Sequence, residues 1–269
     1  MNEDRSYVIG THAAEIERLG VQHRVWRSRV LDFWRRGGVT QGMTVIDAGA
    51  GPGHATLDLA EIVGPQGRVI AIERSRRFLD ALKVQAAARG LRNIETVEAD
   101  LAEVDWTRFA ADRLWCRWVL AFVPDAASVV RGMARAVKPD GALLFHEYYD
   151  YASWKISPRS AAFEDYIAKI IARWRATGSE PDIALDLPPL LEALGLRITG
   201  IRPAVFAATM DDDAARWPMG FAREYLPSMI ANGDLSEDEA DAVQRALDAA
   251  KIVLTPCVLQ ITAVKSEQS

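Results

Sequence analysis

The stretch Val45-Ile46-Asp47-Ala48-Gly49-Ala50-Gly51-Pro52-Gly53-His54-Ala55-Thr56 decides how this chain is read. A short apolar run ends in Asp47 and passes into glycines at alternate positions, after which residues 57–63 have helical character. Glycine lets a backbone turn tightly and lets a ligand approach without meeting a Cβ atom. The helix behind the turn begins with free N–H groups and a partial positive charge, which suit a carboxylate or a phosphate. Glycine spacing separates the cofactor classes that use such a turn. A dinucleotide turn needs G-x-G-x-x-G, its third glycine permitting close helix–strand packing. Counted from Gly49, that third glycine falls on His54. The pattern is instead D-x-G-x-G-x-G, and an acid two places before the first glycine repels a pyrophosphate but suits a ligand with an ammonium group.

Outward from this turn, strands and helices alternate. Residues 44–47 read as a first strand and 69–73 as a second. Ser75 caps a helix running to residue 88, and 94–99 alternate as a third strand. Residues 114–122 form a nearly continuous apolar run, as expected of a parallel strand buried on both faces. A helix over 124–137, a turn at Pro139-Asp140-Gly141 and a fifth strand over 142–148 complete the series. Such alternation argues for a doubly wound α/β fold with a parallel sheet, whose ligands bind beyond the carboxyl ends of the strands.

On the amino-terminal side, residues 11–37 carry Val21, Val25, Trp26, Val30, Phe33 and Trp34 at helical spacing. Arg24, Arg27, Arg29, Arg35 and Arg36 interleave with them as a solvated face rather than a polyanion-binding patch. On the other side the pattern changes: 160–176 and 188–194 read as helices, 197–206 as a strand, 211–250 as acidic helix and 258–265 as a closing strand. Residues 150–185 and 211–250 read as insertions on one sheet. The chain is therefore divided into a helical lid (1–40), a cofactor-binding core (41–149) and a substrate side with the last two strands (150–269), all in one domain.

The 269 residues are 49% hydrophobic and 26% charged, ordinary for a soluble globular protein, and the formal net charge of −5 gives no support for a nucleic-acid partner. No apolar run reaches the ~20 residues that cross a bilayer. Cys116 and Cys257, each in an apolar run, read as buried inert thiols rather than a disulfide or metal site, so a reducing, cytoplasmic setting is expected.

These motifs resemble the class I S-adenosylmethionine-dependent methyltransferases, in particular small-molecule enzymes of the type 11/25 domains, from about residue 45 to 145. VIDAGAGPGHAT is similar to that family's glycine-rich first motif. Glu73, with Arg74 beside it, stands where relatives hold the ribose hydroxyls. Asp100-Leu101 matches the pair that reads the adenine, and Lys138-Pro139-Asp140-Gly141 is similar to a K-P-G-G turn, with Asp140 as a departure. The resemblance implies a Rossmann-like, mostly parallel seven-stranded sheet with an antiparallel last strand. It also implies S-adenosylmethionine as cofactor, held by Asp47, Gly49, Gly51, Glu73, Arg74, Asp100, Leu101 and Arg117. Tyr7, Gln22 and Trp26 of the lid are placed to line the same pocket. No metal site is expected.

Methyl transfer from a sulfonium is an in-line displacement in which the protein aligns the nucleophile and excludes water. Residues after the fourth and fifth strands supply the candidates: Arg117, Trp118, His146, Glu147, Tyr148, Tyr149 and Tyr151. Many relatives have a histidine just past the fourth strand, where this chain has Ala121-Phe122. Glu147 is the leading candidate to deprotonate or orient the acceptor, beside an equally open structural role. Successive strand residues face opposite ways, so His146 and Glu147 do not serve one site. Trp154, Phe163, Tyr166, Trp174, Trp217, Phe221 and Tyr225 are expected mostly in the core, some walling a pocket for a small aromatic or amphipathic acceptor. The D/N-P-P-Y/F motif of amino-directed DNA methyltransferases is absent after the fourth strand. A homodimer is compatible with this reading. Two rivals stay open at this point: a non-catalytic S-adenosylmethionine-binding module of the same fold, and an NAD-dependent oxidoreductase, which His54 and Asp47 disfavour.

Overall fold

The computed structural model describes residue 11 and residues 13–265. Its strands are β1 (Thr44–Ala48), β2 (Arg68–Glu73), β3 (Ile94–Glu98), β4 (Ala111–Arg117), β5 (Val137–Asp150), β6 (Lys155–Ser157), β7 (Leu196–Ala204), β8 (Ala207–Thr209), β9 (Ile252–Leu254) and β10 (Cys257–Lys265). Seven of them form one sheet in the order β3-β2-β1-β4-β5-β10-β7. The first five pair in parallel, and β10 runs antiparallel between β5 and β7. The expected seven-stranded sheet with an antiparallel last strand is therefore present. Strand order reverses between β1 and β4, which opens a crevice beyond their carboxyl ends.

Helices α1 (Ala13–Arg36), α2 (His54–Val63), α3 (Arg76–Ala88), α4 (Ala126–Ala136), α5 (Ala161–Ala176), α6 (Leu187–Ala193), α7 (Asp213–Ala231) and α8 (Glu237–Ala249) surround it. In α1 the buried residues His23, Trp26, Val30, Phe33 and Trp34 recur at three- and four-residue spacing, which turns one stripe toward the sheet. Ser75 caps α3 as its sequence position predicts, its Oγ accepting the Phe78 N–H at 3.3 Å. No helix among the described residues is long and apolar enough to cross a membrane.

Three features differ from the sequence reading. The apolar run over 114–122 is strand only as far as Arg117, and Leu120–Phe122 is a short 3-10 turn. Trp118 adopts a left-handed backbone (φ 52°), which turns the chain out of the ladder, so β4 ends at Arg117. The Lys138–Gly141 turn is absorbed into the start of β5, with Asp140 left-handed at φ 64°. Finally, β6, β9 and β8 make a separate three-stranded antiparallel sheet. Each of its strands is three residues long, too short to display periodicity. Cys116 is buried and Cys257 half-buried, and both are free thiols.

Candidate active site

The chain leaves β1 through a turn that only glycine accommodates. Gly49 and Gly51 have φ of 74° and 56°, in the left-handed region. A Cβ on Gly49 would lie 2.3 Å from Val119 Cγ2, whereas one on Gly51 would meet nothing within 4 Å. Gly49 thus allows the turn to pack on the loop after β4, and Gly51 leaves open space above it. His54 begins α2 and, instead of a glycine's close packing, its Nε2–H donates to the Ile16 carbonyl of α1 at 3.3 Å. Burial pulls its pKa down to about 4, so it is neutral at physiological pH.

Beside this turn is a cavity of about 710 Å³, lined by Asp47, Gly49, Gly51, Glu73, Arg74, Asp100, Leu101, Arg117 and Gln22 among others. Of the residues that the sequence places in the cofactor pocket, all meet here except Trp26 and Tyr7, the latter lying outside the described residues. Asp47 is 2% exposed and accepts the Thr56 hydroxyl at 2.6 Å. Its burial raises the carboxyl pKa to about 6. Glu73 uses one oxygen for the Gly51 N–H (2.9 Å) and the other for the Ser75 N–H (2.8 Å). Asp100 is half-exposed, accepts the Ala102 N–H at 2.9 Å and lies 3.8 Å from Arg74. Leu101 is buried beside it.

The far end of the cavity is aromatic. Trp118 stacks between Tyr148 (5.4 Å, 18°) and Trp217 (5.4 Å, 21°), and Tyr151, Trp174, Phe221 and Tyr225 close the chamber. Trp217, Phe221 and Tyr225 follow one another at four-residue spacing on α7, so the helix presents them as a single stripe. Gln22 of α1 accepts the Trp217 Nε1–H at 2.8 Å and so joins the lid to this wall. Trp26, expected in the pocket, is instead fully buried and packs edge-on against Trp118 and Trp217.

Glu147 is not among the lining residues. It is fully buried, and its Oε1 accepts the backbone N–H groups of Val119 (3.0 Å) and Leu120 (3.3 Å). Desolvation raises its pKa to about 7. The geometry corrects the expectation of an acid facing the acceptor: Glu147 pins the loop after β4 from below. His146 is likewise buried, edge-on to Trp26 and Trp118 at 5.1 Å, and burial holds it neutral. Tyr149 lies off the cavity. Tyr148 does line it, and burial pushes its phenol pKa upward, which keeps the hydroxyl a donor.

Several polar residues at the site escaped the sequence reading. Glu15 and Arg18 on α1 form a two-bond ion pair at 2.6 Å. His23 Nε2 faces Asp58 at 3.1 Å, and its Nδ1 faces Arg117 Nη2 at 3.3 Å. Glu15–Arg18 has an i,i+3 helical signature, but nothing in the sequence relates His23 to Asp58 or Arg117.

A family model described as a methyltransferase domain matches residues 39–177, more than half of the chain. The chain belongs to this methyltransferase family. Among its relatives, the demethylmenaquinone methyltransferase of Lactococcus lactis is 28% identical over 123 residues, which cover 46% of this chain and 48% of that protein. The chain thus spans about half the length of the relatives it matches. A Bacillus halodurans protein shares the fold at 17% identity and a TM-score of 0.60, over 89% of this chain and 99% of that one. So does the geranyl diphosphate C-methyltransferase of Streptomyces coelicolor, at 14% identity and a TM-score of 0.55, over 90% of this chain and 80% of that one.

Proposed function

We propose that this methyltransferase transfers a methyl group from S-adenosylmethionine to a small, planar aromatic acceptor held in the chamber between Trp118 and Tyr225. The observation that carries this reading is the continuity of the glycine turn and the aromatic chamber within one cavity of about 710 Å³. Drug-sized ligands occupy pockets of roughly 300–1,000 Å³, so a cofactor and a compact acceptor fit together. The aromatic acceptor implied by the name of the Lactococcus lactis relative is in keeping with such walls.

In this reading the open space above Gly51 admits the amino-acid end of the cofactor, with Asp47 attracting its ammonium group. Glu73 accepts from the ribose diol, while Asp100 and Leu101 take the adenine edge and face. The bound cofactor supplies an activated methyl group on a sulfonium. The protein's part is to orient the acceptor and exclude water, which α1 and α7 do through the Gln22–Trp217 contact. Among the described residues that line the cavity, Glu15 is the carboxylate not assigned to the cofactor, and it is tied to Arg18. The chamber therefore suits an acceptor that arrives nucleophilic. The division into lid, core and acceptor side made from the sequence fits these roles, as a single domain.

The test is transfer of labelled methyl from S-adenosylmethionine to a panel of small phenols, hydroquinones and aliphatic amines. Transfer to the aromatic members supports the reading. Transfer confined to the aliphatic amines would overturn the acceptor assignment.

A further inference from the structure

Four arginines line the cavity, and three of them face a carboxylate. Arg18 holds both oxygens of Glu15, Arg173 lies 3.4 Å from Asp234, and Arg74 lies 3.8 Å from Asp100. Arg117 has no carboxylate oxygen within 4.0 Å among the described residues. Its Nη1 is buried without a hydrogen-bond partner, and its guanidinium lies over the Trp118 ring at 5.2 Å. A desolvated cation with no carboxylate in contact is costly, and Asp47 and Asp58 act on this one only from beyond ion-pair distance. Burial here pulls the Arg117 pKa down to about 10.

This arginine is also aimed. A guanidinium only donates, so the 3.3 Å contact from Nη2 makes His23 Nδ1 an acceptor and puts the imidazole proton on Nε2. That proton faces Asp58 Oδ2 at 3.1 Å, and Asp58 is further held by Arg27 at 2.7 Å. Neither His23 nor Asp58 lines the cavity. A chain from α2 through α1 thus fixes one edge of Arg117 at the end of β4 and leaves the remaining N–H groups for a ligand.

We propose that Arg117 is the carboxylate anchor of the site and that His23 and Asp58 are the positioning residues that orient it. This rests on the cofactor reading above and names a further recognition element within it. A carboxylate can come from the amino-acid end of the cofactor, whose ammonium would then lie toward Asp47, or from the acceptor. The chemistry recognised is the same, and a bidentate guanidinium–carboxylate pair gives direction as well as attraction.

Calorimetry on the full chain separates the sources. The probes are S-adenosylhomocysteine, its decarboxylated analogue that keeps the amine, and benzoate added to S-adenosylhomocysteine-saturated protein. If the cofactor supplies the carboxylate, Arg117→Met weakens S-adenosylhomocysteine about 10- to 100-fold and changes the decarboxylated analogue by less than about threefold. His23→Phe then reproduces part of this selective loss, and His23→Gln, whose amide oxygen can accept from Arg117, recovers it. If the acceptor supplies it, Arg117→Met leaves S-adenosylhomocysteine unchanged and abolishes benzoate binding seen in the parent. Equal losses for the two cofactor analogues, or no change for S-adenosylhomocysteine together with no Arg117-dependent benzoate binding, would overturn the proposal. Failure of the parent to bind S-adenosylhomocysteine at all would strike the cofactor reading instead.

Discussion

Val119 sits so close to Gly49 that a Cβ on the glycine would stand 2.3 Å from Val119 Cγ2. Glu147 holds Val119 there by accepting its N–H at 3.0 Å. The glycine turn after β1 and the loop after β4 are therefore one packed unit, although 70 residues separate them in the chain. The two glycines of the turn should respond differently to the same substitution. Gly49→Ala meets both a left-handed backbone and a steric clash, and should destabilise the fold by about 2–4 kcal/mol. Gly51→Ala meets only the backbone cost of about 1–2 kcal/mol, but its methyl group enters the space assigned to the cofactor. Denaturant melts and calorimetry with S-adenosylhomocysteine check the contrast: a stability defect at Gly49, an affinity defect at Gly51. Equal behaviour of the two variants would contradict it.

Glu147 makes a pH-dependent contribution with a definite sign. Its folded pKa of about 7 is above the ordinary value of 4.5. Between these values the folded state keeps a proton that the unfolded chain has released, so stability falls as pH rises through this window and levels off above it. Glu147→Gln keeps an oxygen for the Val119 and Leu120 N–H groups and removes the titration. The variant should match the parent near pH 5 and be more stable at pH 8, by on the order of 1–2 kcal/mol. The difference between the two melting curves isolates this group from Asp47, whose carboxyl is also raised.

The same variant should transfer methyl groups at a rate within a few-fold of the parent. General bases contribute about 10²–10⁴-fold. A loss of that size in kcat, with cofactor affinity intact, would return Glu147 to the chemistry.

Glu73→Ala should weaken S-adenosylhomocysteine by about 1.5–3 kcal/mol, the range for hydrogen bonds to a charged group. It also leaves the Gly51 and Ser75 N–H groups without their acceptor. The affinity measurement therefore needs a thermal melt beside it. Unchanged affinity in a folded variant would remove Glu73 from the ribose site.

Gln22→Ala removes the acceptor of the Trp217 Nε1–H and with it a polar link between α1 and α7. Loss of one such bond costs about 1 kcal/mol, and the exposed indole N–H finds water in the cavity. Dissociation of S-adenosylhomocysteine should quicken about fivefold, and amide hydrogen exchange in α1 should rise. Exchange confined to its parental rate would show that α1 is held by Trp26 and its core contacts alone.

The sequence alone determined the strand–helix order of the main sheet, the glycine turn behind Asp47, and the acids placed at the carboxyl ends of β2 and β3. These are local properties: backbone freedom, periodicity and capping are set by residues within a few positions of one another. It could not end β4 at Trp118, because an apolar run is equally consistent with strand and with a buried turn. Nor could it assign Glu147. An acid at the end of a strand points to one face or the other, and only the packed loop shows that it faces Val119 and Leu120 rather than the cavity. The Asp58–His23–Arg117 chain is a third case, since its members come from α2, α1 and β4. The tertiary structure decided these because burial and hydrogen-bond pairing between distant segments depend on which elements stack, and no local pattern encodes that.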